Sequence, residues 1–416
     1  MTANVPHVLV VASTFPSGPS DTVPRFVLDQ VVALRRIRPT WRFTVLAPHD
    51  ARSGTVDRRQ HEEFLELRFH YARPRRWEKL AGHGIMPAIR RHPALIFFVP
   101  ALLWSEYRAI RRVVREDRPD LIYAHWFTPQ AMAVAPVAWR ARLPFVFTTH
   151  ASDVAIWGRF GIAGKIVVRS VSRAAKALTA VSETSLLRMR RFFPDDEWTS
   201  SAGKRAVIPM GIDLAVPDVG GASNSFPGER VVLFVGRLAE KKGVRYLIEA
   251  FAAVRADTPD VRLVVVGDGP LRRVLENQAA VLGDCIEFAG YRTGAEKERL
   301  LQRADVVVVP SIVAADGDAE GMPVALLEAL ARGKATIATE SSNAGEIDAP
   351  PDAVVMCADA DADALARAMR EVLAWPDDRR AAASLAARRA AEQFAWPDVA
   401  ERTAQFLLDP YLDSRR

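Results

Sequence analysis

Cysteine is nearly absent from this sequence: of 416 residues, only Cys285 and Cys357 carry a thiol. Two cysteines cannot build a disulfide framework, which removes the small secreted scaffolds and points to a reducing, cytoplasmic setting. Long apolar runs are missing too. The most conspicuous, Ala94 to Trp104, is eleven residues interrupted by Pro100, and a membrane-crossing helix needs about 20. The N-terminal stretch MTANVPHVLVVAS has no basic residues ahead of its apolar part, which stops at Phe15-Pro16. It is therefore expected to be a first β-strand and not a signal peptide. No G-x-G-x-x-G follows that strand, which disfavours a nicotinamide enzyme. No His or Cys stands at metal-ligand spacing with Asp316 and Asp318, so no metal site is assigned.

What the sequence does hold is an ordinary globular balance, 49% hydrophobic and 25% charged, over a length that suits two or three domains. The net charge of +6 conceals a division: residues 1–225 carry 32 Lys and Arg against 19 Asp and Glu, or +13, and the remainder 24 against 31, or −7. The basic part is expected to meet something anionic. Its charge gathers around the apolar run, with Arg73, Arg75, Arg76, Lys79, Arg90 and Arg91 before it and Arg108, Arg111, Arg112 and Arg115 after it. Two readings stand for residues 73–118. Either they lie on an anionic membrane surface with Phe97, Phe98 and Trp104 in the interface, or they form a buried helix with a solvated basic face. Nucleic acid ranks below both, because no binding motif accompanies the charge.

Short apolar strands recur along the chain with polar or small residues at their ends. His7 to Ala12 is the first. Ser13 to Asp21 breaks it, and a helix opens near Pro24 with Asp21 or Thr22 as cap and Phe26, Val27, Val31 and Leu34 on its apolar face. Ligands of doubly wound domains sit beyond the carboxyl ends of the strands, which makes Ser13, Phe15, Asp21 and Arg25 candidate cleft residues. Leu121 to His125 and Phe145 to Thr149 place His125 and His150 at strand ends, with Asp153 three residues on. A single histidine there is more often structural; two at one edge of a sheet favour a cleft. Leu214 to Arg230, rich in Gly, Pro and Ser, reads as a linker.

Beyond the linker, Val231 to Val235 is a buried strand that delivers Gly236, Arg237 and Lys242 to its carboxyl end. A guanidinium and an ammonium there converge on a diphosphate; the plain alternative is two surface cations at a helix start. Arg262 to Pro270 ends in Gly267-x-Gly269, a loop whose amides can approach a nucleotide. Val306 to Thr339 is the centre of the chain: a strand, a polar loop, a helix opening at Pro323 and a second strand after Gly333. Glu320 stands in that loop beside Gly321 and Met322, and Glu328 lies eight residues on. A carboxylate at a helix start is placed to hold a polyhydroxyl or phosphate-bearing ligand, and the alternative is that both are solvated. Taken together, the pattern predicts two doubly wound, Rossmann-like α/β domains facing a cleft.

The spacing EGMPVALLE resembles the Glu-x7-Glu signature of family 4 of the retaining glycosyltransferases, which have the two-domain GT-B architecture. His150 with Asp153 resembles the family's His-Gly-x-Asp segment, with Ala151 in place of Gly. Arg205 to Asp213 is similar to its interdomain strand, Met210 replacing the Asn of Asn-Gly-Val-Asp. GRLAEKKG, residues 236–243, resembles its Gly-Arg-Leu-x-x-x-Lys-Gly, Asn343 to Ile347 loosely resembles its Gly-Gly-x-x-Glu loop, and Phe394 to Trp396 resembles its closing motif.

The resemblance implies an acceptor-binding domain over 1–213, a nucleotide-sugar-binding domain over 214–397, and a last helix, about 398–416, packing back on the first. It implies that Glu320 contacts the donor sugar, Glu328 takes the ribose and His150 lies beneath the transferred sugar. Arg237 and Lys242 would stabilise the departing diphosphate without a metal. Gly267, Gly269, Gly321, Met322 and Pro323 join them as donor-binding residues, with His125 and Asp153 toward the acceptor. No cofactor is implied beyond the UDP- or GDP-linked sugar itself. The FPSGPSDTVPRFVLDQ and PSIVAADGDAEGMP stretches look most like the branch that builds exopolysaccharides and other cell-surface glycans. That implies a hexosyltransferase acting on a glycan or lipid-linked acceptor, cytoplasmic or peripheral on the inner face of the membrane. A sugar-nucleotide epimerase of the same two-lobed fold is the alternative. A two-lobed binding protein without chemistry has no need of the Arg/Lys pair.

Overall fold

The computed structural model describes residues 5–18, 21, 23–53, 56–82, 84–85, 88–89, 92–150, 153–215 and 228–409. Thr22, Arg90, Arg91, Ala151, most of the linker (216–227) and the tail beyond 409 lie outside the described residues. The chain divides into two compact units, Met1–Gly211 with Trp396–Arg416, and Ile212–Ala395.

The strands of the first unit are β1 (His7–Val11), β2 (Arg42–Pro48), β3 (Arg58–Gln60), β4 (Leu65–Phe69), β5 (Leu121–His125), β6 (Phe145–Thr149), β7 (Ala177–Ala180) and β8 (Arg205–Val207). They form one sheet in the order β3-β4-β2-β1-β5-β6-β7-β8, parallel except for the short β3–β4 pair. β1, β5 and β6 are buried on both faces, which is why each is mostly apolar. The order turns back between β1 and β5, so the crevice of this doubly wound sheet opens where those two strands end.

Two expectations are corrected here. The helix Phe26–Ile37 has Arg25 at its N-cap and no side-chain cap; Asp21 instead accepts the backbone N–H groups of Ser17 (2.9 Å) and Val23 (3.2 Å) and ties the preceding loop to itself. Residues 94–104 are not one buried helix. Pro93–Phe98 is a 3₁₀ turn with only Leu95 buried, and the helix Val99–Asp117 turns Leu102, Glu106, Ile110 and Val113 inward and leaves Arg108, Arg111, Arg112 and Arg115 exposed.

The helix Trp396–Thr403 continues into a turn over Ala404–Leu408, and Val399, Ala400, Ala404, Leu407 and Leu408 are buried, most of them in the first unit's core. Thr403 lies 3.4 Å from Gln30, and Arg38 grips Glu401 and Asp409 at 2.8 and 2.7 Å. Gly211 belongs to the same packing. A Cβ there would lie 2.4 Å from the Trp396 ring, so the glycine and the tryptophan, 185 residues apart in sequence, need each other.

The second unit holds β9 (Arg230–Val235), β10 (Val261–Val266), β11 (Ile286–Gly290), β12 (Val306–Val309), β13 (Ala335–Thr339) and β14 (Val354–Cys357). Its sheet is parallel throughout, ordered β11-β10-β9-β12-β13-β14, with the reversal between β9 and β12. Val232, Leu233, Val306 and Val307, all fully buried, form that central pair. Ile212 and Ala395 close the unit in a parallel bridge, the Ile212 N–H donating to Phe394 O at 2.8 Å.

Candidate active site

Where β9 ends, the chain passes Gly236 and Arg237 and makes a 3₁₀ turn over Glu240–Lys242. Gly243 then begins the next helix at φ +63°, and a Cβ on it would lie 1.8 Å from Pro310 O. Only glycine lets this turn close on the segment leaving β12. Two further bonds fasten the turn to that segment: Lys241 O accepts from Ile312 N at 2.9 Å and the Glu240 carboxylate accepts from Ala315 N at 2.9 Å. The two strands at the switch point thus deliver their loops to one place.

Within it Glu320, 8% exposed, faces two ammonium groups: Lys242 Nζ at 3.3 Å from Oε2 and Lys241 Nζ at 3.6 Å from Oε1. Lys241 also reaches Asp318 at 3.2 Å. Burial pushes the Glu320 carboxyl up, but Lys241 and Lys242 outweigh it and hold the group below its ordinary range. Lys241 is the converse case, burial pulling it down while Glu320 and Asp318 leave it raised. Lys242 runs close past the strand end, its Cε 3.6 Å from where a Gly236 Cβ would stand. Arg237 is half-buried beside it.

Gly267 and Gly269 have a backbone reason for being glycines. A Cβ at 267 would lie 1.8 Å from Gly236 O and one at 269 would lie 2.4 Å from Leu238 O, so both let the loop after β10 press against the exit of β9. Glu328 sits in the helix Val324–Ala331, behind Pro323 at the N-cap, and accepts from Lys297 Nζ at 2.6 Å. Gly321 is buried and Met322 half-buried. Asn343, in a left-handed conformation at φ +59°, donates through Nδ2 to the carbonyls of Glu320 and Gly321 and so fixes the backbone that carries the carboxylate. Sequence reasoning passed over this role; the only trace of it was the loose likeness of the 343–347 loop.

In the first unit, β5 and β6 bring His125 and His150 together, Nδ1 to Nε2 at 3.2 Å. Phe26 and Trp126 enclose His150, with ring centroids 5.3 and 4.7 Å away. Burial lowers the His150 pKa to about 3, and burial with His150 nearby takes His125 well below its ordinary value, so both rings are neutral near pH 7. Asp153 binds the loops rather than facing outward: it accepts from Phe127 N (2.6 Å), Thr149 Oγ1 (2.6 Å) and His150 N (3.1 Å), and burial raises its pKa in spite of these bonds. Trp126, packed against His150 with ring centroids 4.7 Å apart, holds φ +74°, a strained value for a tryptophan.

The remaining candidates of this unit separate. Ser13 is buried at the end of β1. Phe15, 2% exposed, is a core residue set edge-on to Phe64, with the Arg68 guanidinium 5.4 Å from its ring. Arg25 is exposed and pairs with Asp29 at 3.4 Å.

Two doubly wound parallel sheets, the second with cations and a buried carboxylate at its switch point, define a protein of the GT-B class. The comparisons with known proteins agree with that geometry. Residues 23–216 match the family described as Glycosyltransferase Family 4 and residues 221–389 match Glycosyl transferases group 1. The glycogen synthase of Mycobacterium tuberculosis is 32% identical over 304 residues, 71% of this chain and 70% of its own length. The amylovoran biosynthesis glycosyltransferase AmsK of Erwinia amylovora is 38% identical over 118 residues, 28% of this chain and 29% of AmsK. Among solved structures, Anabaena Alr3699/HepE in complex with UDP has a TM-score of 0.70 at 20% identity, covering 97% of this chain and 99% of that one. The chain belongs to the family 4 glycosyltransferases. It spans about half or less of the length of the first curated exopolysaccharide relatives it matches.

Proposed function

We propose that the protein moves a sugar, with retention of anomeric configuration, from a UDP- or GDP-linked donor to a glycan or lipid-linked acceptor in the synthesis of a cell-surface polysaccharide. The observation that carries this reading is the meeting of Lys241 and Lys242 with buried Glu320 at the ends of β9 and β12. A diphosphate entering there competes with Glu320 for the Lys242 ammonium, and Arg237 joins it. Negative charge grows on the leaving diphosphate in the transition state, so fixed cations lower the barrier without a metal ion. Releasing Glu320 from Lys242 frees it to orient the donor sugar. Glu328 takes the ribose, while Gly267, Gly269, Gly321, Met322 and Pro323 shape the donor loop. The neutral His150 ring can accept a hydrogen bond from a sugar hydroxyl, with His125, Ser13, Asp21 and Arg25 on the acceptor side. The AmsK likeness supports the polysaccharide setting.

A panel of UDP- and GDP-sugars, screened by thermal shift, tests the donor assignment. A ligand bound only by the folded state raises Tm, and a concentration of 100 times Kd adds about 2.7 kcal/mol. One nucleotide series is expected to raise Tm, and its sugar is then expected to appear on an added glycan or lipid-linked acceptor. Conversion of the donor to an epimer with no acceptor present would replace this reading with the epimerase.

Peripheral contact with an anionic membrane through residues 73–118 is part of the same proposal. Phe97 is 82% and Trp104 61% exposed, amid exposed Arg73, Arg75, Arg76 and Arg108. Among the described residues no helix is long and apolar enough to cross a membrane. The protein is expected to co-sediment with phosphatidylglycerol vesicles, and Phe97→Ser with Trp104→Ser to release it at constant salt. Equal binding by the double variant removes the membrane from the account.

A further inference from the structure

The first unit carries a second cluster, remote in sequence from Arg237, Lys242, Glu320 and Glu328. β2 and β4 run in parallel with Pro48 opposite Phe69, so the next residues, His49 and His70, leave the sheet side by side with ring centroids 4.6 Å apart. Glu78, 0% exposed, closes on them from the loop that follows. Its Oε1 accepts from Tyr71 N at 2.7 Å and Ala72 N at 3.0 Å. Its Oε2 lies 2.6 Å from His49 Nδ1 and 2.9 Å from His70 Nδ1.

Both His70 nitrogens lie at hydrogen-bond distance from a carboxylate, but a neutral imidazole has one N–H and can donate to only one of the two. His49 is buried, and its Nδ1 has no hydrogen-bond partner even though a carboxylate oxygen is 2.6 Å away. The other nitrogen of His70 meets Asp57 Oδ1 at 2.8 Å. If Nε2–H donates to Asp57, Nδ1 turns a lone pair toward Glu78 Oε2, acceptor against acceptor, unless a cation lies between them.

We propose that His49, His70 and Glu78 bind a divalent transition-metal ion, zinc being the fit for two imidazoles and one carboxylate. The three ligand atoms lie within 4.8 Å of one another, and a tetrahedral zinc with bonds near 2.0–2.1 Å sets them about 3.3 Å apart, a small opening of the observed cluster. The supports that such sites need are in place: Asp57 fixes the His70 tautomer and two backbone amides hold the Glu78 carboxylate. The His70 side chain is 25% exposed, which leaves the cluster open to water as a fourth ligand. The ion would clamp β2, β4 and the 71–80 loop.

Calorimetric titration of the full, untagged chain with zinc after chelator dialysis tests the site, with cobalt absorption as the geometric readout. One equivalent is expected to bind, to give a tetrahedral cobalt spectrum and to raise Tm. Glu78→Gln, which keeps an oxygen for the two amides, and His70→Gln are expected to abolish all three signals. Asp57→Asn, at a position 58% exposed, is expected to weaken binding about 10–100-fold with an unchanged fold. Absence of saturable binding overturns the proposal. Equal zinc binding by native protein and Glu78→Gln overturns it as well.

Discussion

Replacing Arg237 by alanine is expected to cut turnover of the nucleotide sugar by about 10²–10³-fold while the protein still binds acceptor. The magnitude is that of removing one preorganised donor aimed at charge that develops in the transition state. The position supports it: Arg237 follows the last residues of β9, at the strand pair where the sheet order reverses, with Lys242 running past the same strand end. Steady-state kinetics with saturating acceptor should place the loss in kcat more than in KM, because the diphosphate carries its extra charge only as the bond breaks. Turnover near the native rate would remove Arg237 from the chemistry, and the diphosphate assignment with it.

Glu320→Gln is expected to lose both activity and stability. The native carboxylate neutralises Lys242 and shares Lys241 with Asp318. Breaking a buried ion pair from one side costs about 3 kcal/mol at the low end, and the low end applies because Asp318 remains on Lys241. The pH dependence gives a separate check. Because Lys241 and Lys242 hold the folded-state pKa of Glu320 below its unfolded value, the pair contributes fully above the ordinary carboxylate pKa and its contribution fades as pH falls below that value. Denaturation midpoints from neutral pH down to about pH 3 should therefore fall more steeply for the native protein than for Glu320→Gln. Parallel curves would show that the ion pair contributes nothing.

Much of this fold is legible in the sequence, and the reason is the parallel sheet. Strands buried on both faces are rich in Val, Leu and Ile, so β1, β9, β10 and β12 announce themselves, and the loops just beyond them are where a ligand of such a sheet is expected. Arg237 and Lys242 are candidates by that rule, and Glu320 is one by its place beside Gly321 ahead of a helix. Partly exposed elements escape it: β3 is Arg-Arg-Gln with no apolar side chain, and β14 is buried only at its ends. Pairings between distant positions escape it as well. Nothing in local spacing shows that Lys297 meets Glu328, that Asn343 holds the carbonyls of Glu320 and Gly321, or that His49 and His70 stand together over Glu78. Glu106 is similarly hidden, an acid on a basic helix that is fully buried against Gln130, where burial pushes its pKa up to about 8. Periodicity reports which way a side chain points and is silent on what it finds there.

Ile212 and Ala395 are neighbours across a parallel bridge, so the second unit begins and ends at one doorway. A module with adjoining ends behaves as a cassette: it can be lengthened, recombined or replaced without rethreading the sheet that hosts it.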